Sequence, residues 1–333
     1  MFLLQKYTSN SNTVTLKENL YKKDTHLPSQ RTWQIKTLTR IPLDSEIQDS
    51  LLNSMILKSF DNILYVVDYA DMKIKRFSST GRFIDKFGKN IGRGPSDFLQ
   101  ILDFSVYGNT LTAIDKTYTA KKFLLNSENS HKTVKLKNFT YRVVSSKDEF
   151  ITLGFTQELF KTYGVNDSIK VSFGELSDMQ FANIFGFGGY LTLGREDDIF
   201  IYAPRFASYL IFYSVDGRYI KSIQTIDRME FQKPIRNEYG IRVPDSHIST
   251  SGIAVNKVHI FIEYLRKEIK NSDNEKFRTK HSIIDIYSRD SYRYITSIST
   301  PQRTSGITVV GDTLYTINNY NRKIEAFLLP EIE

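Results

Sequence analysis

One stretch of the chain, residues 62–98, has the pattern of a complete antiparallel sheet unit, and weaker versions of it recur towards the C terminus. The apolar run 63–67 is followed by a polar turn, the alternating segment 74–77, a second turn at Gly81 and a return segment at 83–87. A recurring unit of this length is typical of a β-propeller or a solenoid. The repeat therefore limits the possible folds more strongly than any other feature of the sequence.

Six pairs of segments share this order of an apolar strand, a polar turn and an alternating strand. They are residues 64–68 with 74–77, 111–115 with 120–124, 149–153 with 159–163, 199–203 with 209–213, 258–262 with 282–287, and 314–318 with 323–328. The pairs are spaced by about 40–60 residues, as expected for four-stranded blades. We therefore predict an all-β, six-bladed β-propeller.

The first strand of several pairs is apolar on both faces, as in residues 63–67 and 199–202. Such a run indicates a strand that neighbouring sheets cover on both sides, which predicts that these segments are the inner strands of the blades. In the alternating strand that follows, the same pattern places Lys75 on the surface. A sandwich of two sheets is the alternative, but it would show alternating strands throughout and would not explain the repeat.

The last repeat is short, because only four residues follow the segment 323–329. Residues 33–43 form a strand-like segment ahead of the first full unit, and we predict that this strand completes the last blade and closes the ring. The chain then divides into a partly ordered leader, residues 1–32, and a single propeller domain, residues 33–333. Two segments with little strand pattern, 227–249 and 265–281, are predicted to be long loops.

Charge and composition exclude several classes of site. The 45 Lys+Arg and 37 Asp+Glu residues leave a formal charge of +8, but both signs are interspersed, which is typical of an ordinary solvated surface. We therefore do not expect a nucleic-acid partner. The absence of cysteine excludes disulfides, thiolate metal sites and a cysteine nucleophile. No apolar run reaches the ~18 residues of a membrane span. We also expect the protein to be a monomer.

The segment 64–98 resembles a repeat of the NHL type. The matching positions are Leu64, Tyr65, Val66 and Asp68, then Ile74 and Phe77, then Gly81, Phe83, Phe87 and Gly88, and finally Gly92, Gly94, Pro95, Asp97 and Phe98, with Ser96 in place of the usual Gly. The whole chain is similar to the NHL-like or TolB-like six-bladed propellers of Bacteroidetes, many of which are exported lipoproteins. The resemblance implies a periplasmic or cell-surface location, while the sequence shows neither a signal-peptide apolar core nor a lipid-anchor cysteine.

The glycine-rich loop of this unit has a structural interpretation. Gly92 and Gly94 permit backbone conformations that are closed to other residues, and Pro95 prevents continuation of a strand. We predict that the loop connects two blades and that Phe98 fills a gap between them. Binding of a phosphate by the Gly-Arg-Gly turn is the alternative, but no Walker-type Lys-Ser/Thr follows it.

No catalytic signature stands out. None of the five histidines is paired at a metal-ligand spacing, and the sequence contains no G-x-S-x-G elbow, Rossmann fingerprint or EF-hand loop. We predict no catalytic residues, no metal site and no cofactor, and the sequence favours a protein that is not an enzyme. The resemblance leaves two alternatives open: a metal-dependent hydrolase or lyase of the lactonase-like type, acting in the central channel, and an RNA-binding NHL-type propeller.

The turns after the first strand of each pair supply the candidate site, because they fall at the same end of the ring. They are rich in Tyr and Arg, residue types that are enriched at binding hot spots. The predicted ligand-binding residues are Tyr69, Asp71, Tyr118, Arg205, Phe206, Tyr264, Arg266, Tyr320 and Arg322. We predict a non-enzymatic propeller that binds a protein, peptide or glycan there. The alternative is that these side chains only cover the ends of the blades.

Overall fold

The computed structural model describes residues 27–34, 38–147, 149–154, 156, 158–175, 188–194, 198–230, 235–237, 240–242, 248–265 and 281–332. Six four-stranded antiparallel sheets form a ring, so the protein is a six-bladed β-propeller. This arrangement confirms the all-β fold and the blade number predicted from the repeats. Among the described residues, no helix is long and apolar enough to cross a membrane.

The strands follow one another along the chain, from the first strand of each blade, beside the channel, to the fourth, at the outside. The N-terminal elements are β1 (Thr39–Ile41) and α1 (Ser45–Asp49). Blade 1 consists of β2 (Ser54–Phe60), β3 (Ile63–Asp68), β4 (Lys73–Ser78) and β5 (Phe83–Phe87). Blade 2 consists of β6 (Ile101–Tyr107), β7 (Thr110–Asp115), β8 (Thr119–Leu124) and β9 (Ser130–Lys135). Blade 3 consists of β10 (Thr140–Ser145), β11 (Phe150–Gly154), β12 (Glu158–Tyr163) and β13 (Ile169–Glu175).

The second half of the ring repeats this order. Blade 4 consists of β14 (Gly189–Leu193), β15 (Ile199–Pro204), β16 (Tyr209–Ser214) and β17 (Tyr219–Gln224), and a small hairpin follows it, β18 (Ile235–Asn237) with β19 (Gly240–Arg242). Blade 5 consists of β20 (Ile248–Val255), β21 (His259–Leu265), β22 (Ile283–Ser288) and β23 (Tyr294–Ser299). Blade 6 consists of β24 (Thr304–Val310), β25 (Thr313–Asn318), β26 (Ile324–Leu328) and β1.

The channel is lined by a different strand from the one the sequence predicted. In each blade the strand that contacts the neighbouring blades around the channel is the first one, such as β2 or β6. The apolar segments 63–67 and 199–202 belong to second strands, β3 and β15, so the prediction that they are the inner strands, next to the channel, is wrong. Their burial on both faces is confirmed. Neighbouring blades pack against both sides of each sheet, so an interior strand is covered twice whether or not it borders the channel.

Lys75 is buried, although the alternating pattern predicts it on the surface. Its ammonium nitrogen lies 2.8 Å from an oxygen of Asp68 and 2.9 Å from an oxygen of Asp71, and it donates a hydrogen bond of 2.7 Å to the carbonyl of Ser50. Two carboxylates and a carbonyl offset the cost of removing the ammonium group from water. The binary pattern missed this lysine because alternation does not show that Asp68, at the end of β3, and Asp71, in the turn before β4, neutralise its charge.

The N-terminal strand closes the ring as predicted. β1 pairs antiparallel with β26, with Arg40 opposite Phe327 and Ile41 opposite Ala326. The last repeat contributes only three strands of its own to blade 6, and β1 supplies the outermost one. Pairing between the two ends of the chain removes the sheet edge that a three-stranded blade would expose.

A segment just before β1 also holds blade 5. Trp33 forms a parallel bridge with Ser297 at the outer edge of that blade. The guanidinium group of Arg31 contacts Asp285 at 2.8 Å, contacts Asp227 at the end of blade 4, and lies 5.1 Å from the ring centre of Tyr264. The N-terminal part of the chain therefore joins the last two blades and the junction between blades 4 and 5.

The hydrophobic core lies between adjacent blades. Phe98 in the glycine-rich loop is fully buried, and its ring centre lies 5.6 Å from that of Phe123 in blade 2. The amine of Lys121 donates to the carbonyl of Gly94 at 2.8 Å and to that of Asp97. These contacts confirm that Phe98 fills the gap between blades 1 and 2. Two carbonyls of the glycine-rich loop thus bind the amine of Lys121.

Parts of two predicted loops lie outside the described residues. Of the segment 227–249, the structure describes 227–230, the hairpin β18–β19 and the start of β20. Of the segment 265–281, it describes the two end residues alone. The prediction that these segments form long loops therefore stays a prediction for the residues that the structure does not describe.

Candidate functional site

The antiparallel order of the strands gives the ring two distinct ends. The upper end carries the turns between second and third strands and the connections from one blade to the next. The lower end carries the hairpins that join first to second and third to fourth strands. The upper end carries the starts of the six first strands and the turns with Tyr69, Asp71, Tyr118, Arg205, Phe206, Tyr320 and Arg322. Tyr264 lies near the upper end of β21.

In blade 1 the predicted residues contact other protein groups. The hydroxyl of Tyr69 donates a hydrogen bond of 2.6 Å to the carbonyl of Ile101 in blade 2, and burial raises the pKa of Tyr69. Asp71 forms an ion pair with the buried Lys75. Tyr69 therefore lies near the start of the first strand of blade 2, whereas Asp71 supports the turn.

In blades 2 and 6 the predicted residues are more accessible. Tyr118 is 50% exposed and packs its ring edge-on against Phe139 with centres 6.0 Å apart. Tyr320 is 67% exposed, and Arg322 donates a hydrogen bond of 3.0 Å to the hydroxyl of Ser305. Tyr118 and Arg322 have φ angles of 59° and 60°, a conformation that bulky residues rarely adopt. Each of these two turns therefore has a left-handed backbone conformation at one bulky residue.

In blade 4 the guanidinium of the exposed Arg205 lies 5.5 Å from the ring centre of Phe206. The carbonyl of Arg205 accepts a hydrogen bond of 3.2 Å from the amide of Thr250 in blade 5, which fixes the turn between the two blades. Tyr264 is only 5% exposed, and Arg31 lies over its ring. Arg266 lies outside the described residues.

Sequence reasoning missed the group at the centre of the upper end, Arg142. Its guanidinium donates to the carbonyls of Gly189 at 3.2 Å, Tyr141 at 3.0 Å and Leu102 at 3.4 Å. These carbonyls belong to the first strands of blades 4, 3 and 2. A single side chain can reach three successive first strands only where they converge, at the channel. The ring centres of Tyr141 and Tyr190 lie 5.3 and 5.0 Å from the guanidinium carbon.

Two of the predicted residues lie near this group. The charge of Arg142 acts on the hydroxyls of Tyr69 and Tyr141, and the charge of Arg205 acts on Tyr141 as well. We call these residues together with Tyr190 the upper cluster. Tyr118, Tyr320 and Arg322 instead contact the surroundings of their own turns. The only sequence signal for Arg142 and Tyr190 is their place at the starts of first strands, which the sequence analysis did not recognise as the channel strands.

Below the upper cluster, the channel contains a charged pair. An oxygen of the buried Asp103 lies 2.8 Å from the amine of Lys58, and Asp103 accepts a hydrogen bond of 3.0 Å from the amide of Val143. Burial lowers the pKa of Lys58, Asp103 opposes this effect, and the charge of Arg142 reinforces it. Two cations and one carboxylate leave the middle of the channel positively charged.

This charge does not suit the metal site that a lactonase-like enzyme would need. Such a site takes oxygen ligands, mainly carboxylates, from several blades. In the described parts of the chain, no three or more His, Asp or Glu side chains are grouped so that they could hold a metal ion. Lys58 lies in the middle of the channel and Arg142 at its upper mouth, and their charges would repel a divalent cation.

The lower half of the channel is a cavity of about 740 Å³. All six first strands line it, and the hairpins at Asp61, Lys257 and Asp312 surround its opening. Leu57, Val144, Leu191, Ile253 and Val309 are among the apolar side chains of the wall. Lys58 also lines the cavity. The cavity therefore opens at the end of the ring opposite the predicted turns.

Comparisons with known proteins place the chain by fold. No family model matches the sequence, and no curated protein is similar to it. Among solved structures, a "putative exported protein" from Bacteroides fragilis has a TM-score of 0.59 at 13% identity, over 92% of this chain and 98% of the other. A member of the DUF4221 family from Bacteroides vulgatus has a TM-score of 0.57 at 10% identity, over 90% and 97%.

A third solved structure extends the same likeness beyond Bacteroides. The β-propeller domain of Cps50 (Swd1) from Myceliophteria thermophila has a TM-score of 0.51 at 11% identity, over 89% of this chain and 99% of the other. Identities this low indicate a shared architecture alone, and an NHL-like or TolB-like family stays a prediction. The chain is thus similar in fold to a "putative exported protein" and to a DUF4221 family member of two Bacteroides species.

Proposed function

We propose that the protein is a non-enzymatic binding propeller whose ligand or partner lies on the upper end. The observation that carries this proposal is the upper cluster, in which Arg142 and Arg205 lie among three tyrosines at the mouth of the channel. Arg and Tyr contribute large contact areas together with hydrogen-bond donors, and they dominate binding hot spots. The exposed Tyr118 and Tyr320 extend this surface outwards.

The chemistry of the cluster favours an acidic peptide, protein loop or glycan. A guanidinium group binds carboxylates through paired hydrogen bonds, and tyrosine rings stack on sugar rings and peptide side chains. Arg142 is held by three carbonyls, which are neutral and therefore do not cancel its positive charge. A ligand that brings a negative charge to this mouth would therefore be bound more tightly than its neutral analogue.

The two alternative functions lack a supporting observation among the described residues. A channel-centred hydrolase would need grouped carboxylates or histidines, and the channel presents Lys58 and Arg142 instead. An RNA-binding propeller would need a continuous basic face with stacking aromatics, whereas acids are interspersed with the basic residues. The binding function is therefore the better supported proposal.

We further propose that the protein acts outside the cytoplasm. The support is the likeness in fold to a Bacteroides fragilis protein described as a "putative exported protein", together with the resemblance of the whole chain to the NHL-like or TolB-like propellers of Bacteroidetes. Fractionation of the native host, followed by immunoblotting of each compartment, tests this location. Detection in the cytoplasmic fraction alone would contradict it.

Mutagenesis of the upper end tests the binding function. A ligand is first sought by pull-down from host extracts and on a glycan array. Arg205→Ala and Tyr320→Ala should then weaken its binding by roughly fivefold or more, the loss expected at a hot spot, without lowering the melting temperature. Lys135→Ala, on the outer strand of blade 2, is the matched control and should bind like the wild type. Normal binding by both upper-end variants would refute the proposal.

A further inference from the structure

The cavity in the lower half of the channel has the properties of a second binding site. Its volume of about 740 Å³ lies within the range of roughly 300–1,000 Å³ that is usual for small-molecule sites. It is enclosed by the first strands of all six blades. A ligand there would be surrounded on its sides by regular sheet.

The wall of the cavity exposes polar and apolar atoms in similar amounts, and Lys58 is the charged group near its inner end. Lys58 is the fifth residue of β2, and 31% of its side chain is exposed although it lies in the middle of the molecule. That exposure is towards the channel, since Lys58 lines the cavity. Its counter-ion Asp103 is only 2% exposed and is not part of the cavity wall. A ligand therefore meets the ammonium group before the carboxylate.

The ammonium group of Lys58 retains hydrogen-bonding capacity. It carries three N–H donors, of which one contacts Asp103 at 2.8 Å and one contacts the carbonyl of Phe104 at 2.5 Å. The third donor is available to a group in the cavity. The nearby charge of Arg142 leaves the inner end of the cavity with a net positive charge, because Asp103 balances only one of the two cations.

We propose that the lower cavity binds an amphipathic carboxylate, with its carboxylate on Lys58 and its apolar body along the wall of first-strand side chains. A carboxylate matches the positive charge and accepts the third hydrogen bond of the ammonium group. An apolar body matches the partly exposed side chains of Leu193, Ile253 and Val255, which line the cavity. The site is separate from the upper cluster and would function whether or not the upper end binds a partner.

Octanoate and octan-1-ol are the probes, since they share an apolar chain and differ in the charge of the head group. Isothermal titration calorimetry of the full chain should give octanoate at least a tenfold lower Kd than octan-1-ol. Lys58→Met should weaken octanoate at least tenfold and leave octan-1-ol unchanged. Lys135→Met, an equal loss of charge on the exposed outer edge of blade 2, should change neither value.

Two further variants keep the test decisive. Because Lys58→Met leaves Asp103 without its counter-ion, the double variant Lys58→Met/Asp103→Asn removes both charges and should keep the fold while losing the preference for octanoate. Thr192→Trp places a large ring in the cavity and should weaken both probes. Arg205→Ala should bind octanoate normally, because it lies at the other end of the ring.

The proposal is overturned if octanoate binds no more tightly than octan-1-ol, or if the folded double variant retains the preference. It is also overturned if Thr192→Trp binds octanoate like the wild type, since the probe would then lie outside the cavity. Loss of octanoate binding in Arg205→Ala alone would assign the probe to the upper end and refute the lower site.

Discussion

Blades 1 and 6 build the same upper turn from side chains of different charge. In blade 1, Asp68 ends the second strand, accepts a hydrogen bond of 3.0 Å from the amide of Ala70 and pairs with Lys75, seven residues later. In blade 6, Asn318 takes the same place, accepts a hydrogen bond of 2.9 Å from the amide two residues further on, and faces Glu325, again seven residues later. The two turns share the same side-chain-to-amide hydrogen bond, but the charges of the residue in the turn and of its partner on the third strand differ.

The difference follows from where each blade finds its positive charge. Blade 1 uses its own Lys75, and blade 2 likewise pairs Asp115 with Lys121 at 3.3 Å. In blade 6 the partner of Glu325 is Arg40, at 2.9 Å, on the N-terminal strand that closes the ring. An acceptor at the turn and a charge on the third strand are thus the shared requirement. The closing strand allows blade 6 to reverse the charge.

The largest expected effect is that of removing the closing strand. Deletion of residues 1–43 leaves blade 6 with three strands and an exposed edge, whereas blade 1 keeps all four. We expect aggregation or a loss of most of the unfolding free energy, measured by light scattering and thermal melting. A peptide of residues 27–43 added in trans should restore solubility, and a scrambled peptide should not. A soluble deletion that melts like the full chain would disprove this dependence.

In blade 1 the sensitive group is Lys75. Lys75→Met leaves the buried Asp68 without its cation, a change that costs about 3–5 kcal/mol for a buried pair. Chemical denaturation should show this loss in the unfolding free energy. Lys89→Met removes the same charge from an exposed position and should cost less than about 0.5 kcal/mol. Equal effects of the two substitutions would mean that the ion pair contributes nothing.

Replacing Asn318 by the acid of blade 1 tests the charge rule directly. Asn318→Asp places a carboxylate beside Glu325, whose oxygen lies 3.4 Å from the Asn318 amide, and should cost about 1–3 kcal/mol at neutral pH. Asn318→Asp/Glu325→Lys recreates the pair of blade 1 and should recover part of that loss in thermal melting. A double variant no more stable than Asn318→Asp would show that the two turns are not interchangeable.

Acid should affect the two turns differently, because only one of them contains an aspartate. Burial acts to raise the pKa of Asp68, but hydrogen bonds from Lys75 and from backbone amides lower it below its ordinary value. The contribution of Asp68 to the unfolding free energy is therefore complete above its pKa in the unfolded chain, about 3.9. It is lost as the pH falls through the lower pKa of Asp68 in the folded protein. Asp68→Asn should make the unfolding free energy fall less steeply below about pH 4.

The smallest expected effect belongs to the ion pair of the closing strand itself. The side chain of Arg40 is 68% exposed, so Arg40→Met should cost no more than about 1 kcal/mol, and less at high salt. Titration of salt during thermal melting measures the difference. A cost similar to that of Lys75→Met would mean that the charge of Arg40, rather than the backbone pairing of β1, holds blade 6.

Local patterns carried most of the information about the fold. The six apolar and alternating pairs correspond to the second and third strands of the six blades, and the short last repeat indicated closure by the N terminus. Phe98 could be assigned to a gap between blades because its loop contains glycines and a proline that end the strand pattern. These features depend on residues close together in the sequence, where periodicity and turn chemistry are informative.

The candidate site was only partly predictable. The turns with Tyr69 and Arg205 were found because they follow recognisable strands, whereas Arg142 was missed because its partners are carbonyls of three different blades. The burial of Tyr264 under Arg31 joins residues more than 200 positions apart. No local pattern records such a contact.

The sequence by itself determined the class of fold, the number of blades and the position of their turns, because each blade is a short unit whose alternation and turns are local. The tertiary structure alone decided which strand borders the channel, which charges meet there and at which end a cavity opens. Those properties arise from side chains such as Lys58, Asp103 and Arg142, which come from separate blades and become neighbours only when the ring closes.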